Sequence, residues 1–83
     1  MSIIEQVKNL ISEPLEVEKI YVDEITYEKE GGNYFLRIII TSDKGIDLDE
    51  CIKATKIINP ILDENDTLFD NQYILDVCSK GGN

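Results

Sequence analysis

The stretch Glu30-Gly31-Gly32-Asn33-Tyr34-Phe35-Leu36-Arg37-Ile38-Ile39-Ile40-Thr41 decides how this chain folds. From Tyr34 to Thr41 the residues are β-branched, aromatic or long, with Leu36, Ile38 and Ile40 on one side of an extended backbone and Phe35, Arg37, Ile39 and Thr41 on the other. Two glycines and an asparagine stand before it, the residues that accept positive φ in a tight reversal. The preceding run, Ile20 to Glu28, holds Ile20, Tyr21, Val22, Ile25, Thr26 and Tyr27 and reads as a partner strand, although Asp23 and Glu24 blur its alternation. The two runs predict an antiparallel hairpin.

Ser2 followed by Glu5 is a capping-box signature, and Ile4, Val7, Leu10 and Ile11 recur at helical spacing, which predicts a helix over Ser2 to Ser12. Pro14 disfavours helical geometry at Glu13 and is expected to stop it. After the hairpin, Ser42 to Gly45 forms a turn and Asp47 caps a second helix with Asp49 and Glu50 in its first turn. Leu48, Cys51, Ile52, Thr55 and Ile58 are expected on its inner face, with Asp49 and Lys53 as a surface pair. Pro60 should end this helix near Asn59, or kink it so that Ile61 and Leu62 stay in the core. Asp63 to Asn71 reads as an acidic loop, and Gln72 to Cys78 as a third strand with Tyr73, Leu75 and Val77 on one side. The order α-β-β-α-β implies a two-layer α+β sandwich, two helices packed on one face of a three-stranded sheet. The position of the third strand within that sheet stays open. The expected core includes Val7, Leu10, Leu36, Ile38, Ile40, Cys51, Ile58 and Leu75.

Length and charge restrict what such a domain does. Eighty-three residues suffice for one small core and not for a cleft between lobes. The net charge is −9, and Arg37 is the single arginine among eight lysines and arginines, which argues against naked nucleic acid as the main partner. Histidine is absent, and the sequence contains no Gly-x-Ser-x-Gly elbow, no phosphate-binding glycine loop and no cysteine beside a base, so no catalytic residues are assigned and an enzyme is not expected. Asp43-x-Gly45-x-Asp47-x-Asp49 and Asp63-x-Asn65-x-Thr67 begin like calcium loops. Both lack the glycine at the sixth place and the glutamate at the twelfth, where Ala54 and Ile74 stand, so no metal or cofactor is assigned. Gly31-Gly32 and Gly81-Gly82 are read as turn and chain-end residues. Cys51 and Cys78 are expected to be ordinary buried thiols without a redox role. No segment reads as a signal peptide or a membrane span, which suggests a cytoplasmic location.

From Asp43 to Gly81 the pattern becomes specific. Gly45-Ile46-Asp47-Leu48-Asp49-Glu50-Cys51, an apolar helix to Ile61-Leu62-Asp63, and Tyr73-Ile74-Leu75-Asp76-Val77-Cys78-Ser79-Lys80-Gly81 together resemble the N-terminal domain of the ribosome maturation factor RimP. Leu36 to Ile40 resembles that family's second strand and Ile20 to Ile25 its first, so the likeness covers nearly all of residues 1–83 as one domain. The chain departs from the family where Lys80 replaces the proline of its Ser-Pro-Gly, where Pro60 interrupts the second helix, and where Asn83 follows in place of the run leading to a second, SH3-like domain. The expectation is a domain cut from a longer protein or a divergent single-domain form.

The resemblance implies a non-enzymatic factor that binds the small ribosomal subunit or its precursor and assists late maturation. Its expected partner is a basic ribosomal protein near the decoding centre, with rRNA contact only indirect and no membrane or small-molecule substrate. Asp63, Glu64, Asp66 and Asp70 are the candidate partner-binding residues, because they follow the carboxyl end of the second helix, where the helix dipole does not stabilise anions. Asp47, Asp49 and Glu50, at the amino end of that helix, are accounted for by structure alone. The alternative is an acidic protein-interaction adaptor unrelated to ribosomes. An RNA-binding module of KH type would need a Gly-x-x-Gly loop between helices and a basic groove, and the sequence has neither.

Overall fold

The computed structural model describes residues 2–43 and 45–80. Helix α1 spans Ile3–Val17, strands β1 and β2 span Tyr21–Glu30 and Asn33–Thr41, helix α2 spans Leu48–Glu64, and strand β3 spans Tyr73–Ser79. The order is α-β-β-α-β, an α+β architecture of two helices and a three-stranded sheet. Lys44 and the pair Gly81-Gly82 lie outside the described residues.

The sheet order is β1-β2-β3, so the isoleucine-rich strand is central. β1 runs antiparallel to β2 from Glu30↔Asn33 to Tyr21↔Thr41, closed by Gly31 and Gly32 at φ +57° and +88°. Two successive positive φ values are what a type I′ reversal requires, and it matches the twist of the flanking strands. Between Val22 and Glu24 the register shifts, leaving Asp23 as a bulge. That extra residue is why the alternation in the first strand reads poorly. β3 runs parallel to β2, from Tyr34↔Tyr73 to Ile40↔Ser79, which fixes the neighbour that the sequence left open. The backbone amide of Lys80 extends this ladder by donating to the Ile40 carbonyl at 2.8 Å, and its ammonium reaches Asp23 at 3.1 Å. Lys80 thus ties all three strands together.

Leu36, Ile38 and Ile40 are fully buried, together with Val7, Ile11 and Leu15 of α1, Ile20, and Ala54 and Ile58 of α2; Ile25 and Leu62 are also buried. Leu10, Cys51 and Leu75 pack against this cluster while remaining half-buried. Both helices are capped as the sequence predicts: Ser2 Oγ accepts from the Glu5 amide at 3.2 Å and Asp47 Oδ1 from the Glu50 amide at 2.9 Å.

Pro14 does not stop α1 as expected, and of the two outcomes left open at Pro60 the structure shows continuation of the helix. Pro14 lies inside α1 and Pro60 inside α2. Each removes an amide donor, at a cost of about 3 kcal/mol. Continuing the helices brings Leu15 and Leu62 into the core, each contributing about 1.5–3 kcal/mol by burial. In α1 the added turn also sets up a Schellman ending. The Ile20 amide donates to the Leu15 carbonyl at 3.0 Å and the Lys19 amide to the Glu16 carbonyl at 2.9 Å, while Leu15 and Ile20 are both buried.

Lys19 holds the left-handed position of this motif at φ +62°, where a side chain is strained. Lys19→Gly is therefore expected to raise the unfolding free energy by about 1 kcal/mol, read from urea midpoints, and an unchanged or lowered midpoint would refute the strain.

Two further corrections concern α2. Its buried face is Ala54, Ile58 and Leu62, not one running through Leu48 and Ile52, which are 74% and 45% exposed. Extension past Pro60 favours the i, i+4 row ending at Leu62 and turns the first-turn leucine outward. Lys53 pairs with Glu18 at 2.6 Å, across to the end of α1, instead of with Asp49.

Candidate functional site

At the end of α2 the chain does not form the open acidic loop expected from Asp63 onward. Asp63 and Glu64 belong to the last turn of the helix, Asn65 caps it, and a 3-10 turn spans Asp66–Leu68 before the chain enters β3. The Asn65 side-chain amide donates to the Ile61 carbonyl at 2.8 Å, satisfying one of the carbonyls left over at the helix end. This short, hydrogen-bonded connection holds Asp63, Asp66 and Asp70 around one open groove of about 570 Å³, with Phe69, Tyr73 and Leu75 as its apolar wall and Asn59, Asn71 and Gln72 completing the lining. Of the four expected binding acids, the structure places three on this groove. Glu64, one position past Asp63 and so rotated by about 100° around the helix, does not line it.

The wall continues into a row of stacked rings. Phe69 and Tyr73 lie 4.3 Å apart between centroids, Phe69 meets Tyr27 edge-on at 5.5 Å, and Tyr27 stacks on Tyr34 at 5.4 Å. Tyr27 and Tyr34 share the helix-covered side of the sheet with Leu36, whereas Phe35 points to the opposite side, as the strand period requires. Beyond the far end of the row, the Lys29 ammonium sits 5.8 Å from the Tyr34 ring centroid, so the chain itself already presents a cation to this aromatic surface.

The phenols register the negative field of the acids. Burial pushes the Tyr73 hydroxyl above its ordinary value, and Asp63 and Asp66 push it further. Tyr27 is raised by burial, then by Tyr34 and Asp70. Both phenols therefore stay neutral donors at physiological pH. Neutral ring faces beside acidic side chains make a site for a guanidinium or ammonium group. The acids also stand at the carboxyl end of α2, whose dipole adds to the negative potential they create.

The cysteines lie apart from this arrangement and differ from expectation in being half-buried. Both are free thiols, and the Cys78 thiol donates to Asp76 Oδ1 at 3.4 Å. Burial, followed by that hydrogen bond, raises the Cys78 pKa, which lowers its thiolate fraction near neutral pH.

Sequence reasoning singled out the three acids that line the groove, together with Glu64, which does not, and missed the rings, which come from β1, β2, the segment after the 3-10 turn and β3. The available signal was Phe69-Asp70-Asn71-Gln72-Tyr73, two aromatics flanking an acid and two amides. Among the described residues no helix is long and apolar enough to cross a membrane. The family model of the RimP N-terminal domain matches residues 10–83, taking in every residue of the groove.

Proposed function

Because this chain belongs to the RimP N-terminal domain family, a family of ribosome maturation factors, we propose that it is a cytoplasmic, non-enzymatic factor that binds the small ribosomal subunit or its precursor during late maturation. The acid-rimmed aromatic groove seats a basic segment of a ribosomal protein near the decoding centre. The observation that carries this reading is the convergence of Asp63, Asp66 and Asp70 on the wall formed by Phe69 and Tyr73. Ribosomal proteins are generally basic, and an acidic domain of net charge −9 is steered toward them while phosphate backbone repels it. A lysine or arginine entering the groove gains ring contact and carboxylate contact together, and none of the residues lining the groove is itself a lysine or arginine.

Sedimentation of the tagged, full-length native product with small subunits and their precursors, at low and moderate salt, tests this function. Co-migration with precursor small subunits, weakening as salt rises, is expected. Migration with mature 70S particles alone, or with no particle, would refute it.

A further inference from the structure

The sheet has a second face, and the helices leave it bare. Pairing places Phe35 beside Ile74, Arg37 beside Asp76 and Ile39 beside Cys78, all pointing away from the buried Leu36, Ile38 and Ile40. Phe35, Ile39, Ile74 and Cys78 are absent from the shell of apolar residues that packs on the core, and Ile74 is 47% exposed. A sheet face that only has to meet water is ordinarily polar, whereas parallel pairs such as β2–β3 are ordinarily covered on both faces. This one carries an apolar strip at its centre.

Its charge is one-sided. Arg37, the central cation, is held by Asp76 at 3.1 Å, and that hydrogen bond keeps its pKa above the usual value. With the charge of Arg37 balanced by Asp76, the carboxylates of β1 remain: Glu24 opposite Ile39, Glu28 opposite Phe35, and Glu30, which acts electrostatically on Arg37. A second copy would set these acidic rows against each other between two chains of net charge −9. Phosphate backbone would meet the same repulsion.

We propose that the open sheet face is a second docking surface, separate from the groove, and that its occupant is a basic protein segment whose apolar side chains cover Phe35, Ile39 and Ile74 while its cations meet Glu24 and Glu28. The inference shares with the proposed function the premise that the partner is a basic protein, but it requires no ribosomal particle.

The test uses the full chain and two short synthetic peptides, one alternating lysine with leucine and one alternating lysine with serine, followed by amide NMR shifts. The lysine–leucine peptide is expected to shift residues 35–39 and 74–78 and to bind about tenfold more tightly than the lysine–serine peptide. Ile74→Lys, on an edge strand and already half exposed, should weaken it about tenfold with an unchanged melting temperature. The double change Glu24→Gln, Glu28→Gln should flatten its salt dependence. Shifts confined to residues 63–73, equal binding of the two peptides, no binding, or a parent dimer in sedimentation equilibrium that Ile74→Lys abolishes would each overturn the proposal. Failure of the chain to co-sediment with precursors leaves this readout unaffected, so the two readings fail separately.

Discussion

Ile38→Ala is expected to lower the unfolding free energy by about 2–5 kcal/mol, measured by urea denaturation. Ile38 is fully buried on the central strand, with Ile25 beside it on β1 and Val77 on β3. Removing three carbons there loses their transfer free energy and leaves a cavity between sheet and helices that close-packed neighbours fill only in part. A domain of 83 residues has a total stability near the lower end of about 5–15 kcal/mol, so the variant should be partly unfolded at physiological temperature. The neighbouring substitution Ile39→Ala, on the uncovered face, should cost under about 1 kcal/mol because its site opens to solvent. If the two costs are reversed, or if Ile38→Ala costs less than about 0.5 kcal/mol, the face assignment is wrong.

Neutralising the groove should separate binding from folding. Asp63→Asn, Asp66→Asn and Asp70→Asn together remove the carboxylates that rim the groove while leaving Phe69 and Tyr73 in place. Association with precursor small subunits should slow by about tenfold or more at low salt, and the difference should shrink as salt screens it. Folding should be unchanged or slightly more stable, since these anions sit close together at the carboxyl end of a helix. Glu64→Gln is the internal control, because Glu64 lies off the groove and its loss should change association little. Neutralising Asp47, Asp49 and Glu50 should do the reverse. Asp47 caps α2 and the other two occupy its first turn, so stability falls by roughly 1–3 kcal/mol in sum while the folded fraction still binds. Equal behaviour of the two triplets would contradict this division.

The parts legible in the sequence were those in which local pattern and tertiary packing agree. Leu36, Ile38 and Ile40 alternate because one face of β2 is buried, and the glycine pair reverses the chain because glycine adopts two successive positive φ values at low cost. The α-β-β-α-β order followed directly. The end of α1 was not legible, because Pro14 argues locally for a stop while the burial of Leu15 and the Schellman ending that offset its cost exist only once the sheet is in place; continuation of α2 past Pro60 with Leu62 in the core was one of the two outcomes the sequence left open. The rotation of α2 followed from the same extension, which left Leu48 and Ile52 exposed and moved Ala54 and Leu62 inward.

The candidate site divides in the same manner. Asp63, Asp66 and Asp70 stood out in the sequence as charge following the carboxyl end of a helix, along with Glu64, which lies off the groove. The aromatic wall was not legible, since Tyr27, Tyr34, Phe69 and Tyr73 lie up to 46 positions apart in sequence, 73 minus 27, and meet only through the hairpin and the parallel pairing of β3. The open sheet face was equally hidden. Phe35, Ile39 and Ile74 read as strand residues whichever side is covered, and both helices pack on the other.

The central claim, that a basic partner occupies the acid-rimmed groove on an assembling small subunit, is tested most directly by hydrogen exchange of this chain free and bound to precursor small subunits. The amides of residues 66–73, which connect α2 to β3 beside the groove, are predicted to exchange more slowly in the bound state, and to lose that protection in the Asp63→Asn, Asp66→Asn, Asp70→Asn variant. Binding that leaves exchange at residues 66–73 unchanged would contradict the account.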